Sequence, residues 1–356
     1  MKRTILPDAR RTPRFAGLVT FGRYPRLEDV LPENGPPDWA IYGVPFDSGV
    51  TYRPGARFGP RAIRVESQYL KRYHVDHDID VCDALSLADA GDAPVEPYDC
   101  ELNARSHAAF AKGLGRPGET KLLALGGDHT TAYGNLRATW ERLGGGAGKA
   151  RGGLAVVHFD AHLDTVDSVW GERWGHASVF RRAIEDGLID PAAMISLGIR
   201  GPLNTRDDLE FARDHGIQVV TADRLETQGE ASIRAFVERL GVRPVYITFD
   251  IDCIDPAFAP GTGTPSPGGM SSALAFSLLR RLRGVRVAGA DVVEVLPDRD
   301  VSGVTALLAA HIAFEILSLD AVARRDAGAT PPRAAKPREA AHGARVRAPG
   351  KPGKAR

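Results

Sequence analysis

Cysteine is scarce in this 356-residue chain: Cys82, Cys100 and Cys253 are odd in number and widely spaced. That excludes a disulfide framework and fits a reducing cytosol. Long apolar runs are also missing. None reaches the roughly 18 residues that a membrane-crossing helix needs, so a bilayer-spanning protein is not expected. The opening Met1-Lys-Arg-Thr-Ile-Leu-Pro-Asp8 lacks the apolar block of a secretory signal, and a cytoplasmic location is the expectation. Net charge is nearly absent too, at 46 Lys+Arg against 45 Asp+Glu, but the balance hides an asymmetry. Residues 324–356 hold ten Lys/Arg and two Asp/Glu, a net of +8, which leaves the rest at −7. An acidic body without a basic face argues against a nucleic-acid binder. The basic end is rich in Ala, Pro and Gly and poor in large apolar residues, so it reads as a disordered tail. The only nucleic-acid contact it suggests is weak binding by that tail.

What the chain does have is alternation. Short apolar runs bounded by Gly, Pro and Asp occur at 39–44, 85–88, 121–125, 154–159, 194–198, 218–221, 245–249 and 286–293. Most lack a polar/apolar period and read as strands buried on both faces. Helical stretches lie between and around them, at 60–70, 101–114, 131–143, 178–186, 209–215, 231–240, 271–283 and 305–323. Alternating strand and helix implies crossover connections and a mainly parallel sheet covered on both sides. No internal repeat or long linker appears. The reading is an N-terminal arm (1–35), one α/β catalytic domain (36–323) and the tail (324–356).

Sites in open α/β sheets lie beyond the carboxyl ends of the strands, and four of the expected strands end in metal-ligand residue types. The third ends Leu125-Gly-Gly-Asp-His129, and the fourth ends His158-Phe-Asp-Ala-His-Leu-Asp164. The seventh ends Phe249-Asp-Ile-Asp-Cys-Ile-Asp255, and the eighth runs into Glu294. In extended backbone Asp160, His162 and Asp164 point the same way, as do Asp250 and Asp252. Carboxylates this dense at the end of an apolar strand repel one another and lose hydration, and a bound cation relieves both. Five carboxylates and two or more imidazoles exceed the needs of one ion. Two divalent ions are therefore expected, with Mn²⁺ suited to the mixed ligands and Zn²⁺, Ni²⁺ or Co²⁺ not excluded. His158 lies one step deeper and reads as support rather than ligand. Arg53, Arg57 and Arg61 read as ion-pair partners, and His74, His77, His107, His215 and His311 have no supporting context.

With those motifs in hand, the sequence resembles the arginase/agmatinase (ureohydrolase) family. The likeness rests on Gly126-Gly-Asp-His-Thr130, Phe159-Asp-Ala-His-Leu-Asp-Thr165, Gly175-His-Ala-Ser178 and Thr248-Phe-Asp-Ile-Asp-Cys-Ile-Asp-Pro256, continuing through Pro265 to Gly269. Gly43-Val-Pro-Phe-Asp-Ser-Gly49 and Arg53-Pro-Gly-Ala-Arg-Phe-Gly-Pro-Arg61 look like the agmatinase branch. The resemblance implies a three-layer α/β sandwich around an eight-stranded, mainly parallel sheet. It also implies two Mn²⁺ per subunit. His129, Asp160, Asp164 and Asp250 would hold one, and Asp160, His162, Asp250 and Asp252 the other. Trimers or hexamers are the family's habit.

A guanidinium carbon is a poor electrophile, and a metal-acidified water supplies the strong nucleophile it requires at neutral pH. On this reading Asp164 orients the nucleophile, Glu294 pairs with the guanidinium and His176 shuttles protons, giving urea and an amine. For the substrate's tail, Asp167 or Glu172 suits an ammonium, as in agmatine, and Arg173 suits a carboxylate, as in 4-guanidinobutyrate. Ser266 stands where agmatinase-like sequences often have Glu, and His176-Ala177-Ser178 stands for the usual His-Gly-Thr. Agmatine is the first expectation and an ω-guanidino acid the second, with arginine behind both. Two other readings are a non-catalytic binding or assembly protein with this fold, and a single-zinc, histone-deacetylase-like amidohydrolase. No ligand position is missing, against the first, and the doubled Asp-x-Asp speaks against the second.

Overall fold

A computed structural model of the chain describes residues 4–8, 10–30, 32–145 and 152–328. Its centre is a sheet of eight strands: β1 (Trp39–Val44), β2 (Leu87–Asp92), β3 (Lys121–Gly126), β4 (Leu154–Phe159), β5 (Ile189–Ile199), β6 (Gln218–Thr221), β7 (Pro244–Asp250) and β8 (Arg286–Val293). They lie in the order β2-β1-β3-β8-β7-β4-β5-β6. Every neighbouring pair is parallel. The β3 to β4 connection leaps over β8 and β7, which puts β3, β8, β7 and β4 side by side in the middle.

Successive side chains of a strand face opposite ways, and here both ways lead into core. On one face Ile41, Leu123, Leu125, Val157 and Ile247 pack with Ile63, Phe236, Leu278 and Phe314. These come from helices α1 (Gly59–Glu66), α6 (Glu230–Leu240), α7 (Ser272–Arg280) and α8 (Val304–Asp326). On the other face Tyr42, Leu122, Val156 and Tyr246 meet α2 (Cys100–Lys112), α3 (Thr131–Arg142), α4 (Val179–Glu185) and α5 (Asp207–Asp214). The result is the expected three-layer αβα sandwich.

Helix α8 is long and apolar enough to cross a bilayer, but 83% of its most apolar stretch is buried within the protein. It belongs to the core. It also runs past residue 323, where the helix was expected to end. Arg324 pairs with Asp38 at 2.8 Å and with Asp320 at 3.2 Å, and Asp320 also takes Trp39 Nε1 and Lys121 Nζ. Residues 329–356, most of the expected tail, lie outside the described residues. The N-terminal arm follows the exposed edge of β2. Phe21 N–H donates to Asp89 Oδ2, Asp89 N–H donates to Pro25 O, and Arg64 clasps the same carboxylate at 2.8 and 3.0 Å. The arm thereby covers a sheet edge that would otherwise offer unpaired backbone groups.

Candidate metal centre and active site

The four central strands deliver their chemistry at one place. After β3, Gly127 lets the backbone pass under the first loop: a Cβ there would sit 1.9 Å from Phe46 O. Asp128 then turns inward and accepts hydrogen bonds from Gly49 N and Thr130 N at 2.9 and 3.0 Å. His129 follows, fully buried. Asp160, His162 and Asp164 follow β4, Asp250 closes β7, and Glu294 follows β8.

Convergence does not come from extended backbone. β4 ends at Phe159, and Asp164 has φ 53°, in the left-handed region. β7 ends at Asp250, and residues Ile251–Cys253 form a single 3₁₀ turn closed by Ile254 N–H donating to Ile251 O and capped at its start by Asp252 N–H donating to Asp250 Oδ1. The i, i+2 alternation expected of these segments is thus replaced by turns. Glu294 is also left-handed, with φ 66°. Non-glycine residues persist there where the surroundings impose it, often at functional sites.

His129 Nδ1 lies 2.9 Å from Asp164, 3.1 Å from Asp160 and 3.3 Å from Asp250. Despite this ring of oxygens it is a buried nitrogen with no hydrogen-bond partner. Its other nitrogen, Nε2, is 2.8 Å from Thr248 Oγ1. His162 Nδ1 is 3.1 Å from Asp252 and 3.5 Å from Asp160. His158 lies beneath them: Nε2 meets Asp160 at 2.8 Å and Nδ1 meets Ser196 Oγ at 3.1 Å.

Electrostatics point the same way. Burial, then Asp252 and Asp160, raises the pKa of Asp250 well above the usual carboxylate range, and burial raises Asp252. Burial acts on Asp160 as well, but His158, His129 and His162 outweigh it and hold it low. Burial would lower His129, yet the surrounding carboxylates push it well up. Three buried carboxylates around an unpartnered imidazole nitrogen, with Asp252 beside them, fit a divalent cation, and the O-rich, N-containing donor set suits Mn²⁺ or its neighbours.

Beside this cluster Glu294 Oε1 accepts from His129 N–H at 2.9 Å and faces His176 Nδ1 at 2.8 Å. Among the described residues its Oε2 has no hydrogen bond. His176 Nε2 accepts from Thr51 N–H at 2.9 Å and lies 2.8 Å from Thr51 Oγ1. Burial would lower the His176 pKa, but Glu294 prevails and holds it at about 9. The hydroxyl contact suits a charged or a neutral ring, whereas the backbone donor suits only the neutral one.

His162, Asp164, His176 and Asp250 form part of the lining of a cleft of about 910 Å³. Of the residues expected to meet the substrate's tail, only Asp167 lines it, and it is already paired with Arg182 at 2.6 Å and Arg181 at 3.4 Å. Glu172 lines a neighbouring pocket of about 560 Å³. Arg173 lines neither pocket and pairs with Glu185 at 3.0 Å. Ser266 is also outside, its carbonyl bound by Arg200 at 2.6 Å. Glu172, Arg173 and Ser266 thus lie outside the cleft lining, while Val169 and Glu172 pair through two 2.9 Å backbone bonds at its edge. The residues that do line it include Thr51, Arg181, Asn204, Asp207 and Asp208. No motif marks them.

The profile of the arginase family matches residues 37–318. The chain belongs to the arginase family. Proclavaminate amidinohydrolase of Streptomyces clavuligerus is 41% identical over 319 residues, 89% of this chain and 98% of that one. Its solved structure superposes with a TM-score of 0.79, covering 88% of this chain and all of that one. Guanidinopropionase of Pseudomonas aeruginosa is 43% identical over 88% of this chain and 94% of its own. Agmatinase of Neisseria meningitidis is 41% identical over 81% and 89%. This arginase-family chain is therefore a hydrolase, with candidate metal-binding clusters of His and Asp at the strand ends.

Proposed function

We propose that the chain releases urea from a linear guanidino compound with the help of two divalent ions, and that agmatine is the substrate, giving putrescine. The observation that carries the reaction class is the unpartnered His129 Nδ1, ringed by three carboxylates beside the Glu294–His176 pair. His129, Asp160, Asp164 and Asp250 would hold one ion; Asp160, His162, Asp250 and Asp252 would hold the other. When bound, such ions make water acidic enough to be a nucleophile at neutral pH. The protein does the rest. The free Oε2 of Glu294 takes the guanidinium N–H groups and holds the planar carbon over the cluster. Asp164 accepts the proton that the nucleophile gives up and orients it. His176, held by Glu294 and Thr51, passes a proton to the departing amine nitrogen, so that water and guanidinium become urea and an ammonium product.

For the tail, Asp207 and Asp208 line the cleft, and no ion pair among the described residues involves either. Burial and then the Asp207 charge raise the pKa of Asp208, and an ammonium group would relieve both. This favours agmatine. A second reading, an ω-guanidino acid, is favoured by Arg181, which lines the same cleft, and by the names of the guanidinopropionase and proclavaminate amidinohydrolase relatives. A urea-release screen of Mn²⁺-loaded protein against agmatine, 4-guanidinobutyrate, 3-guanidinopropionate and arginine decides. Agmatine turned over fastest supports the first reading, a guanidino acid turned over fastest supports the second, and no urea from any of them overturns both.

A further inference from the structure

Behind the cluster, between the sheet and helices α2 and α3, runs an unbroken line of buried polar side chains. Beginning at the metal-facing histidine, His129 Nε2 is 2.8 Å from Thr248 Oγ1, and Thr248 donates to Asp291 Oδ1 at 2.6 Å. Tyr246 OH donates to Asp291 Oδ2 at 2.5 Å, and Asn135 Nδ2 donates to Tyr246 OH at 2.8 Å. Tyr42 OH donates to Asn135 Oδ1 at 2.9 Å and lies 2.8 Å from His107 Nε2. Each of these seven residues is fully buried.

With Asp291 as a carboxylate, the direction of every proton in this line follows from one backbone group. Asn135 Nδ2 also contacts Ala290 O at 2.7 Å, and a carbonyl can only accept, so that atom is the amide nitrogen and the amide cannot be flipped. Its second N–H therefore goes to Tyr246, whose own proton must go to Asp291. Asp291 then accepts from two hydroxyls, and Thr248, having given its proton away, can only accept from His129. The ring is left with its hydrogen on Nε2. Nδ1 faces the carboxylates, free to offer a lone pair to a cation. At the far end the same logic makes Tyr42 accept from His107 Nε2–H. Burial holds His107 neutral, with its pKa down at about 3, and its Nδ1 has no partner, so the line stops there. Helix packing is correspondingly close: a Cβ on Gly134 would sit 2.3 Å from His107 Nδ1.

We infer that Asn135 and Tyr246, neither of which touches the cleft, are positioning residues for the metal centre: acting through Asp291 and Thr248, they hold His129 in the one tautomer that can bind an ion. This inference rests on the proposed reading of the cluster as a two-ion site. Groups that orient metal-binding histidines typically change affinity by about 10–100-fold when removed. The effect should fall on one ion only, because His129 serves one of the two.

The test is a Mn²⁺ titration of the full chain, following free Mn²⁺ by its EPR signal, for wild type, Tyr246→Phe, Asn135→Asp, Thr248→Val and Thr248→Ser. Thermal unfolding of each variant identifies any that no longer folds. The expected result is two ions in the wild type. Tyr246→Phe, Asn135→Asp and Thr248→Val should weaken one of them about 10–100-fold and leave the other unchanged. Thr248→Ser keeps the hydroxyl and should restore binding, and KM for the guanidino substrate at saturating Mn²⁺ should not move. If the folded variants hold both ions within about twofold of wild type, or lose both together, the inference is overturned. A wild type that binds two ions but releases no urea would sink the proposed activity and leave the positioning role to be judged on affinities. A wild type that binds no Mn²⁺ sinks both.

Discussion

His176 Nδ1 stands 2.8 Å from Glu294 Oε1, so the proposed proton carrier and the proposed guanidinium anchor hold each other in place before any substrate arrives. Glu294→Gln keeps the shape and removes the charge. Losing one partner of a buried charge pair costs about 2–5 kcal/mol, so kcat/KM for the guanidino substrate should fall by roughly 10²–10³-fold. Mn²⁺ content, measured by elemental analysis, should not change. Loss of metal in that variant would mean that Glu294 is a ligand rather than an anchor.

The substrate's tail gives a second expectation. With Asp207 and Asp208 lining the cleft, Asp207→Asn with Asp208→Asn should raise KM for agmatine about tenfold. The same change should leave KM for 4-guanidinobutyrate level or lower it. That size is the usual worth of a partly exposed charge-assisted contact, about 1.4 kcal/mol. Steady-state kinetics on both compounds check it, and an unchanged agmatine KM places the tail elsewhere.

Far from the site, Glu315 on α8 takes His74 Nε2 at 2.9 Å and His77 Nε2 at 2.7 Å, with Arg280 at 3.3 Å. This ties the hairpin formed by Tyr73–His74 and Ile79–Asp80 to the core helix. Burial would raise the Glu315 pKa, but the two histidines outweigh it and hold it at about 2. A depressed carboxylate stabilises the fold above its unfolded pKa, and that stability is lost as pH falls through the folded value. The window is therefore about pH 4.5 down to 2, and the contribution is on the order of 3 kcal/mol. Glu315→Gln should lower the melting temperature at pH 7 and flatten its fall across that acid window. Equal acid sensitivity in wild type and variant would contradict this.

Gly127 offers a steric test. A Cβ there meets two carbonyl oxygens, Phe46 O at 1.9 Å and Val44 O at 2.6 Å, so the clash is with backbone that cannot step aside. Gly127→Ala should cost about 3 kcal/mol or more in unfolding by urea, and His129 should lose its place. A variant of wild-type stability that keeps its metal would show that the loop has another route.

Most of the fold could be read from the sequence because buried parallel strands are short apolar runs with turn residues at each end. All eight expected strand segments fall in the one sheet. Boundaries slipped where composition changes inside an element. β2 continues through the polar Asp89–Asp92, and β5 begins at Ile189, before its apolar run. The hairpin at Tyr73–Asp80 had no signal, since two-residue strands carry no period. Within the site, the acidic and imidazole groups were legible from their density at strand ends. The cleft's rim was not, because Asn204, Asp207 and Asp208 sit beyond β5 in a loop and the first turn of a helix with no motif. The line from His129 to His107 was hidden for a different reason: Tyr42 and Asn135 meet across 93 positions of chain, and Asn135 and Tyr246 across 111. Only the folded sheet brings them together.

The central claim is that Asp160 and Asp250 lie between two divalent ions. Anomalous scattering from a crystal grown with Mn²⁺ tests it most directly. The account predicts two peaks per chain, one beside His129 Nδ1 and one beside His162 Nδ1, with both aspartates in contact with each. A single peak, or ions placed away from these carboxylates, would contradict it.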